Sequence, residues 1–272
     1  MKAIECEAIT IETDSREIRS SQVGADRCLA ALLSALVVSA LVPALAAAQG
    51  SADPQRATAA LQANKPGIAS GKVILAGPYH KPPPLPVFKN RSFCGSAVPN
   101  ETLVVDALGG VANAVVMFAP LGGPARPKPA RLILDNVGCA FVPHVQVAPI
   151  GSELLLKNSD PILHTVHARL GSATLFNVGL PRWRQIKKLL HRPGPVRIDC
   201  DVLHTWMTAV IMVVETPFFA VTDSAGRFTI DALPPAEYKM TIWHERLGAQ
   251  TRIVSTEATA NFEIIFRTPK LR

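Results

Sequence analysis

Cys200-Asp201-Val202-Leu203-His204-Thr205-Trp206-Met207 brings a thiol, an imidazole and a thioether into eight residues. Short apolar runs flank it: Val196-Arg197-Ile198-Asp199-Cys200 before, Ala209 to Val214 after. Runs of this length, rich in Val and Ile, read as strands, so the quoted stretch is a loop joining two of them. Upstream lies a second histidine, in Asn158-Ser159-Asp160-Pro161-Ile162-Leu163-His164-Thr165-Val166. Val145, Val147, Leu154 and Leu156 fall in further short strands around Pro149-Ile150-Gly151, and Tyr238 to Trp243 alternates with the two-residue period of a half-buried strand.

The remaining chain reads the same way. It holds 272 residues, 48% of them hydrophobic and 6% aromatic, with 23 prolines that interrupt it too often for long helices. Gly71 to Gly77, Val111 to Ala119, Phe219 to Ile230 (strand, turn, strand) and Asn261 to Phe266 are the other expected strands. Pro82-Pro83-Pro84 is a stiff loop, and Gly122 to Pro129 a Gly/Pro-rich boundary. The expected fold class is all-β.

Leu29 to Ala48 is almost wholly apolar and ends in Ala46-Ala47-Ala48, the pattern of a secretory signal peptide. An uncleaved anchor is the competing reading; Pro43 and the small-residue ending favour cleavage. Residues 1–22 carry Glu5, Glu7, Glu12, Asp14 and Glu17 where a basic region is usual, and a start at Val23 would leave an ordinary leader. Loss of residues 1–48 leaves 24 basic and 15 acidic residues, a net charge of +9. That charge favours acidic partners or anionic surfaces. No nucleic-acid motif is present, and no integral span is expected once the leader is removed.

Cleavage also removes Cys6 and Cys28, leaving Cys94, Cys139 and Cys200. Thiols tend to pair in an oxidising compartment, so an odd one needs a reason. Cys94 and Cys139 sit in similar Cys-Gly and Gly-Cys settings and are expected to form a disulfide. Cys200 is then left over beside His204 and Met207. It is alternatively a disulfide partner, to another chain or to either of those cysteines. Two His, one Cys and a weak axial Met form the donor set of a copper electron-transfer site.

Residues 132–215 resemble the cupredoxins, the plastocyanin- and amicyanin-like copper proteins. The resemblance is carried by Phe141-Val142-Pro143, Gly151, Lys157-Asn158, His164-Thr165-Val166, Cys200, His204 and Met207. It implies a Greek-key sandwich in which His164, Cys200 and His204 are equatorial copper ligands and Met207 the weak axial one. It further implies one-electron transfer through an exposed edge of His204, with Leu203, Trp206 and Ala209 excluding water. The family often has Cys-x2-His-x2-Met; this chain has Cys-x3-His-x2-Met, with Leu203 the extra residue. Thr165 stands where the family has Asn, and its hydroxyl is expected to bind across to the ligand loop.

The flanks resemble a carboxypeptidase-regulatory, transthyretin-like β-sandwich, through Gly71-Lys72-Val73, Ala114-Val115-Val116, Thr222 to Phe228 and Leu233 to Tyr238. Ala236 stands where that family has Gly. The implied organisation is a leader (1–48), a flexible lead-in (49–70), the first half of that second, small sandwich (71–131), the copper domain (132–215) and the second half of the sandwich (216–272).

Other residues carry weaker signals. His164 and His167 are three apart and point to opposite faces of a strand, so one of them faces the site; His164 is assigned. His144 and His244 are read as surface histidines, with a second metal as the alternative. Arg182, Arg184, Lys187, Lys188, Arg192 and Arg197 form a basic run. It is either the dock for an acidic redox partner or a solvated loop face. No hydrolase motif, phosphate loop or His-Glu-x-x-His signature is present. The expectation is an exported, non-enzymatic electron carrier using copper. Alternatives are a carbohydrate- or protein-binding sandwich and a copper-storing or accessory subunit of an oxidase.

Overall fold

In the computed structural model, residues 67–257 and 259–267 are described. The expected leader, alternative start and most of the lead-in lie outside them. Among the described residues, strands dominate and the helix is a single four-residue turn, α1 (Arg91–Cys94). The chain is therefore all-β. No helix among the described residues is long and apolar enough to cross a membrane.

The strands in chain order are β1 (Gly67–Ala76), β2 (Leu85–Pro86), β3 (Ala97–Val98), β4 (Val115–Pro120), β5 (Arg131–Val137), β6 (Ala140–Val142), β7 (Val145–Pro149), β8 (Ser152–Asn158) and β9 (His164–Leu170). They continue as β10 (Ala173–Leu180), β11 (Gln185–Leu190), β12 (Gly194–Asp199), β13 (Thr208–Val214), β14 (Phe218–Val221), β15 (Arg227–Leu233), β16 (Ala236–His244), β17 (Gly248–Thr256) and β18 (Thr259–Arg267).

Strands from the two flanks interleave in two sheets, ordered β15-β1-β18 and β14-β4-β16-β17. The intervening chain builds two others, β10-β9-β12-β13-β7 and β11-β8-β5-β6. The two flank sheets share one core, with Val73, Val116, Phe118, Phe228, Tyr238, Met240 and Phe266 at its centre. The other two enclose a second core that holds Leu134, Leu154, Leu156, Ile198, Cys200, Met207 and Ile211.

β13 explains how the sandwiches join. Ala209, Ile211 and Val213 enter the second core, whereas Val210, Met212 and Val214 pack outward with Val115, Val145, Met117, Phe219 and Trp243. The six-residue apolar run Ala209–Val214 is thus buried on both faces, which is why it does not alternate with polar residues. β4 divides its side chains in the same way, with Val116 and Phe118 turned into the flank core and Val115 and Met117 toward β13. Period-two side-chain geometry lets one strand serve two cores.

Two sequence expectations need correction. The basic run is not simply a loop: Lys187 and Lys188 lie on β11, an edge strand paired with β8. Lysines on an edge discourage pairing with another chain, and Lys187 is 3.0 Å from Glu153. Arg182 stacks over the Trp183 ring at 3.9 Å. His144 and His244 are not surface residues; they are 8% and 1% exposed. Each is buried because it has partners: His144 pairs with Glu245 and with the Thr208 carbonyl, and His244 accepts a hydrogen bond from the Arg246 N–H.

Candidate metal centre

The end of β12 and the start of β13 fix the two sides of the quoted loop. Cys200 follows β12 immediately, and a turn closed by the Met207 N–H to the His204 carbonyl at 2.8 Å leads into β13. β9 pairs with β12 in antiparallel register, Asp199 opposite His167. This brings the start of β9, and His164 with it, beside Cys200.

The donor atoms converge. Cys200 Sγ is 3.9 Å from His164 Nδ1 and 3.7 Å from His204 Nδ1, and the two nitrogens are 3.1 Å apart. All three residues are buried, and they form the one cluster of this kind among the described residues. Trigonal coordination with bonds of about 2.0 Å to nitrogen and about 2.3 Å to sulfur needs N···N near 3.5 Å and N···S near 3.7 Å. The observed triangle is close to that, and its donor set of imidazole and thiol suits a soft first-row metal.

What lies behind each imidazole decides which nitrogen is free. His164 Nε2 donates to Asp160 Oδ2 at 3.0 Å, and His204 Nε2 donates to Asn90 Oδ1 at 2.9 Å. With the proton on Nε2, each neutral ring turns the lone pair of Nδ1 inward. Two acceptors 3.1 Å apart repel unless a cation or proton lies between them. A metal ion fits that arrangement, and outer-shell acceptors of this kind orient metal-binding histidines.

The electrostatics favour neutral rings. Burial lowers the His164 pKa, with Asp160 opposing. Burial, the neighbouring His164 and Lys89 push His204 down to about 4, with Asp160 again opposing. Both imidazoles are therefore unprotonated at neutral pH, the state that ligation requires.

Asp160 also ties the site to the frame. Its carboxylate accepts the Gly138 N–H at 2.7 Å and the Cys139 N–H at 2.8 Å. Cys139 is disulfide-bonded to Cys94, and among the described residues Cys200 is the free cysteine. The Cys139 carbonyl accepts from Trp206 Nε1 at 3.1 Å, and the Trp206 ring lies 5.1 Å from that of His204. Thr165 donates its backbone N–H to Cys200 Sγ at 3.4 Å, while its hydroxyl accepts from the Asp201 N–H at 2.6 Å. That hydroxyl makes the expected bridge to the ligand loop.

Met207 is buried in the same core as Cys200. His167 is turned away, bound to Asp201 and Thr174. Trp206 and Ala209 are buried as expected, but Leu203 is 65% exposed with φ of 67°. The extra loop residue loops outward in a left-handed conformation, so it neither shields the site nor spreads its donors. His204 itself is 1% exposed, with Asn90 over its outer nitrogen. The implied exposed histidine edge is absent. Asp160 and Asn90 were not singled out from sequence. Asp160 lies four residues before His164, a spacing that offered a signal; Asn90 lies 114 residues from His204 and offered none.

Solved structures similar to part of the chain include a purple cupredoxin from Nitrosopumilus maritimus, 19% identical over 31% of this chain and 99% of that one, with a TM-score of 0.28. Amicyanin from Paracoccus versutus is 12% identical over 36% of this chain and 97% of its own, with a TM-score of 0.28. A copper-containing nitrite reductase from Thermus scotoductus is 20% identical over 36% of this chain and 27% of its own, with a TM-score of 0.29. No family model and no curated protein matches the chain.

Proposed function

We propose that the protein is an exported one-electron carrier that holds a single copper ion through His164, Cys200 and His204, with Met207 as a weak fourth donor. The observation that carries this is the buried triangle of one sulfur and two inward-facing Nδ1 atoms. Bound copper would supply a site that cycles between Cu(II) and Cu(I). The chain's own residues do the rest. Asp160 and Asn90 hold the two rings in one tautomer, the Thr165 N–H places a positive dipole at Cys200 Sγ, and Trp206 and Ala209 keep water out. A sandwich closed on both sides of β13 resists rearrangement of the donors, which suits a site used in two oxidation states.

Arg182, Arg184, Lys187 and Lys188 are proposed to steer an acidic redox partner, and the flank sheets to form a transthyretin-like sandwich without catalytic chemistry. The test is voltammetry of the copper-loaded protein. A reversible one-electron wave, with a rate toward an acidic partner that falls as salt rises, is expected. A second reading, copper retention, is favoured by the cover over His204. It predicts tightly held copper that exchanges no electrons with soluble mediators.

A further inference from the structure

The segment carrying β2, α1 and β3 precedes the strands of the sandwich that carries the His-Cys-His cluster, yet its buried apolar side chains belong to that sandwich. Val87 and Val98 are buried in the core that holds Cys200 and Met207, with Leu85 and Cys94 packed against it. The Val87 N–H binds the Ser96 carbonyl at 3.0 Å and closes the segment on itself. Cys94 bonds covalently to Cys139, and Lys89 Nζ donates to the Val202 carbonyl in the ligand loop at 3.3 Å. The segment is therefore anchored at three kinds of contact around the ligand loop.

Asn90 stands at its tip, with φ of 55° and ψ of 34°, a left-handed conformation that Asn tolerates better than most residues. It occupies the N-cap position of α1, but its side chain makes no capping bond there. The amide oxygen goes instead to His204 Nε2. An acceptor diverted from its own helix to a ligand histidine has the geometry of an orienting group.

We propose that Leu85–Val98 is a strap that closes the metal centre, and that Asn90 is a positioning residue which fixes the His204 tautomer and covers its outer edge. The strap and the ligands form one connected frame. Asn90 holds His204. Cys94 holds Cys139, whose N–H shares Asp160 with His164 and whose carbonyl holds Trp206 against His204. The strap thus sets both the direction of the His204 lone pair and the ease with which small molecules reach the site. The inference rests on the metal-site reading for its affinity arm, but not for its tautomer arm.

The test compares wild type with Asn90→Gly and Asn90→Asp in the full chain. Gly accepts the left-handed backbone without strain, so Asn90→Gly removes the side chain, and with it the acceptor, while leaving the backbone conformation open to it; Asn90→Asp keeps a side chain with an acceptor oxygen. In metal-free protein, nitrogen-15 NMR of the histidines should show His204 protonated at Nε2 in wild type and Asn90→Asp, and a mixture of tautomers in Asn90→Gly. In copper-loaded protein, competition with a Cu(I) chelator should show affinity lowered about 10- to 100-fold in Asn90→Gly, with faster removal of copper and recovery in Asn90→Asp. An Asn90→Gly protein with the wild-type tautomer and wild-type chelator kinetics would overturn the proposal. A wild type that binds no copper would refute the copper reading separately, and the metal-free tautomers would still decide the role of Asn90.

Discussion

Replacing Asp160 separates the frame's contribution to stability from its contribution to the site. The carboxylate is 3% exposed and accepts three N–H groups, from Gly138, Cys139 and His164. Asp160→Ala strips a partner from each. Gly138 is exposed and can turn to water, but Cys139 and His164 are fully buried. Two buried donors left unsatisfied cost about 1–3 kcal/mol each, so Asp160→Ala should lose roughly 4 kcal/mol in all. Asp160→Asn keeps one oxygen for the two buried donors and surrenders mainly the exposed one, so its loss should be about 1 kcal/mol. The assay is urea unfolding of the metal-free proteins, read by tryptophan fluorescence, alongside copper affinity. Affinity should fall about 10- to 100-fold in Asp160→Ala and less in Asp160→Asn. Equal losses for the two variants, or a loss below about 1 kcal/mol for Asp160→Ala, would refute the reasoning.

Three other perturbations have definite expected outcomes. The disulfide spans 45 residues, and loop-closure entropy puts its contribution near 4 kcal/mol; the Cys94→Ala/Cys139→Ala double variant should show most of that loss on chemical denaturation while still binding copper through Cys200. Leu203 is exposed and left-handed, so Leu203→Asn should gain about 0.5–1 kcal/mol in the same assay and leave the copper spectrum unchanged. Burial lowers His244 to about 4 against an ordinary 6.5, helped by His144 and Arg246 and opposed by Glu245 and a hydrogen bond to the Ala112 backbone. On acidification the unfolded chain then binds the proton first. Stability from this group is complete above pH 6.5 and falls by about 3 kcal/mol as pH approaches 4. His144 acts oppositely: burial pulls its pKa down, but Glu245, Glu101 and the Thr208 carbonyl together leave it raised, so its contribution is present in acid and lost as pH rises through the folded pKa. Unfolding measured from pH 7 to pH 4.5 should therefore be less pH-sensitive in His244→Gln than in wild type.

The parts of this structure that depend on neighbours in sequence were legible in it. Cys200, His204 and Met207 share one loop, short apolar runs located most of β1, β12 and β13, and two-residue alternation located β16. His164 was separable from His167 because period-two geometry sends them to opposite faces. Features that arise only when distant segments meet were not legible. Asn90 reaches His204 across 114 residues, and His144 and Glu245 meet across 101; without those partners, the histidines looked like surface residues or an exposed electron port. β11 was hidden because Lys187 and Lys188 interrupt its apolar residues, although its Ile186 and Leu190 share the inward face as an edge strand allows. Leu203 was read as shielding because it is apolar, whereas the loop's extra residue must leave the plane of the site and turns to solvent.

The claim that Cys200 and the two histidines hold one copper ion is tested most directly by adding Cu(II) to the metal-free protein and recording its visible spectrum beside that of Cys200→Ser. One equivalent of copper should give an intense thiolate–copper charge-transfer band in the wild type and none in the variant. A colourless copper complex, or a band that survives in Cys200→Ser, would contradict it.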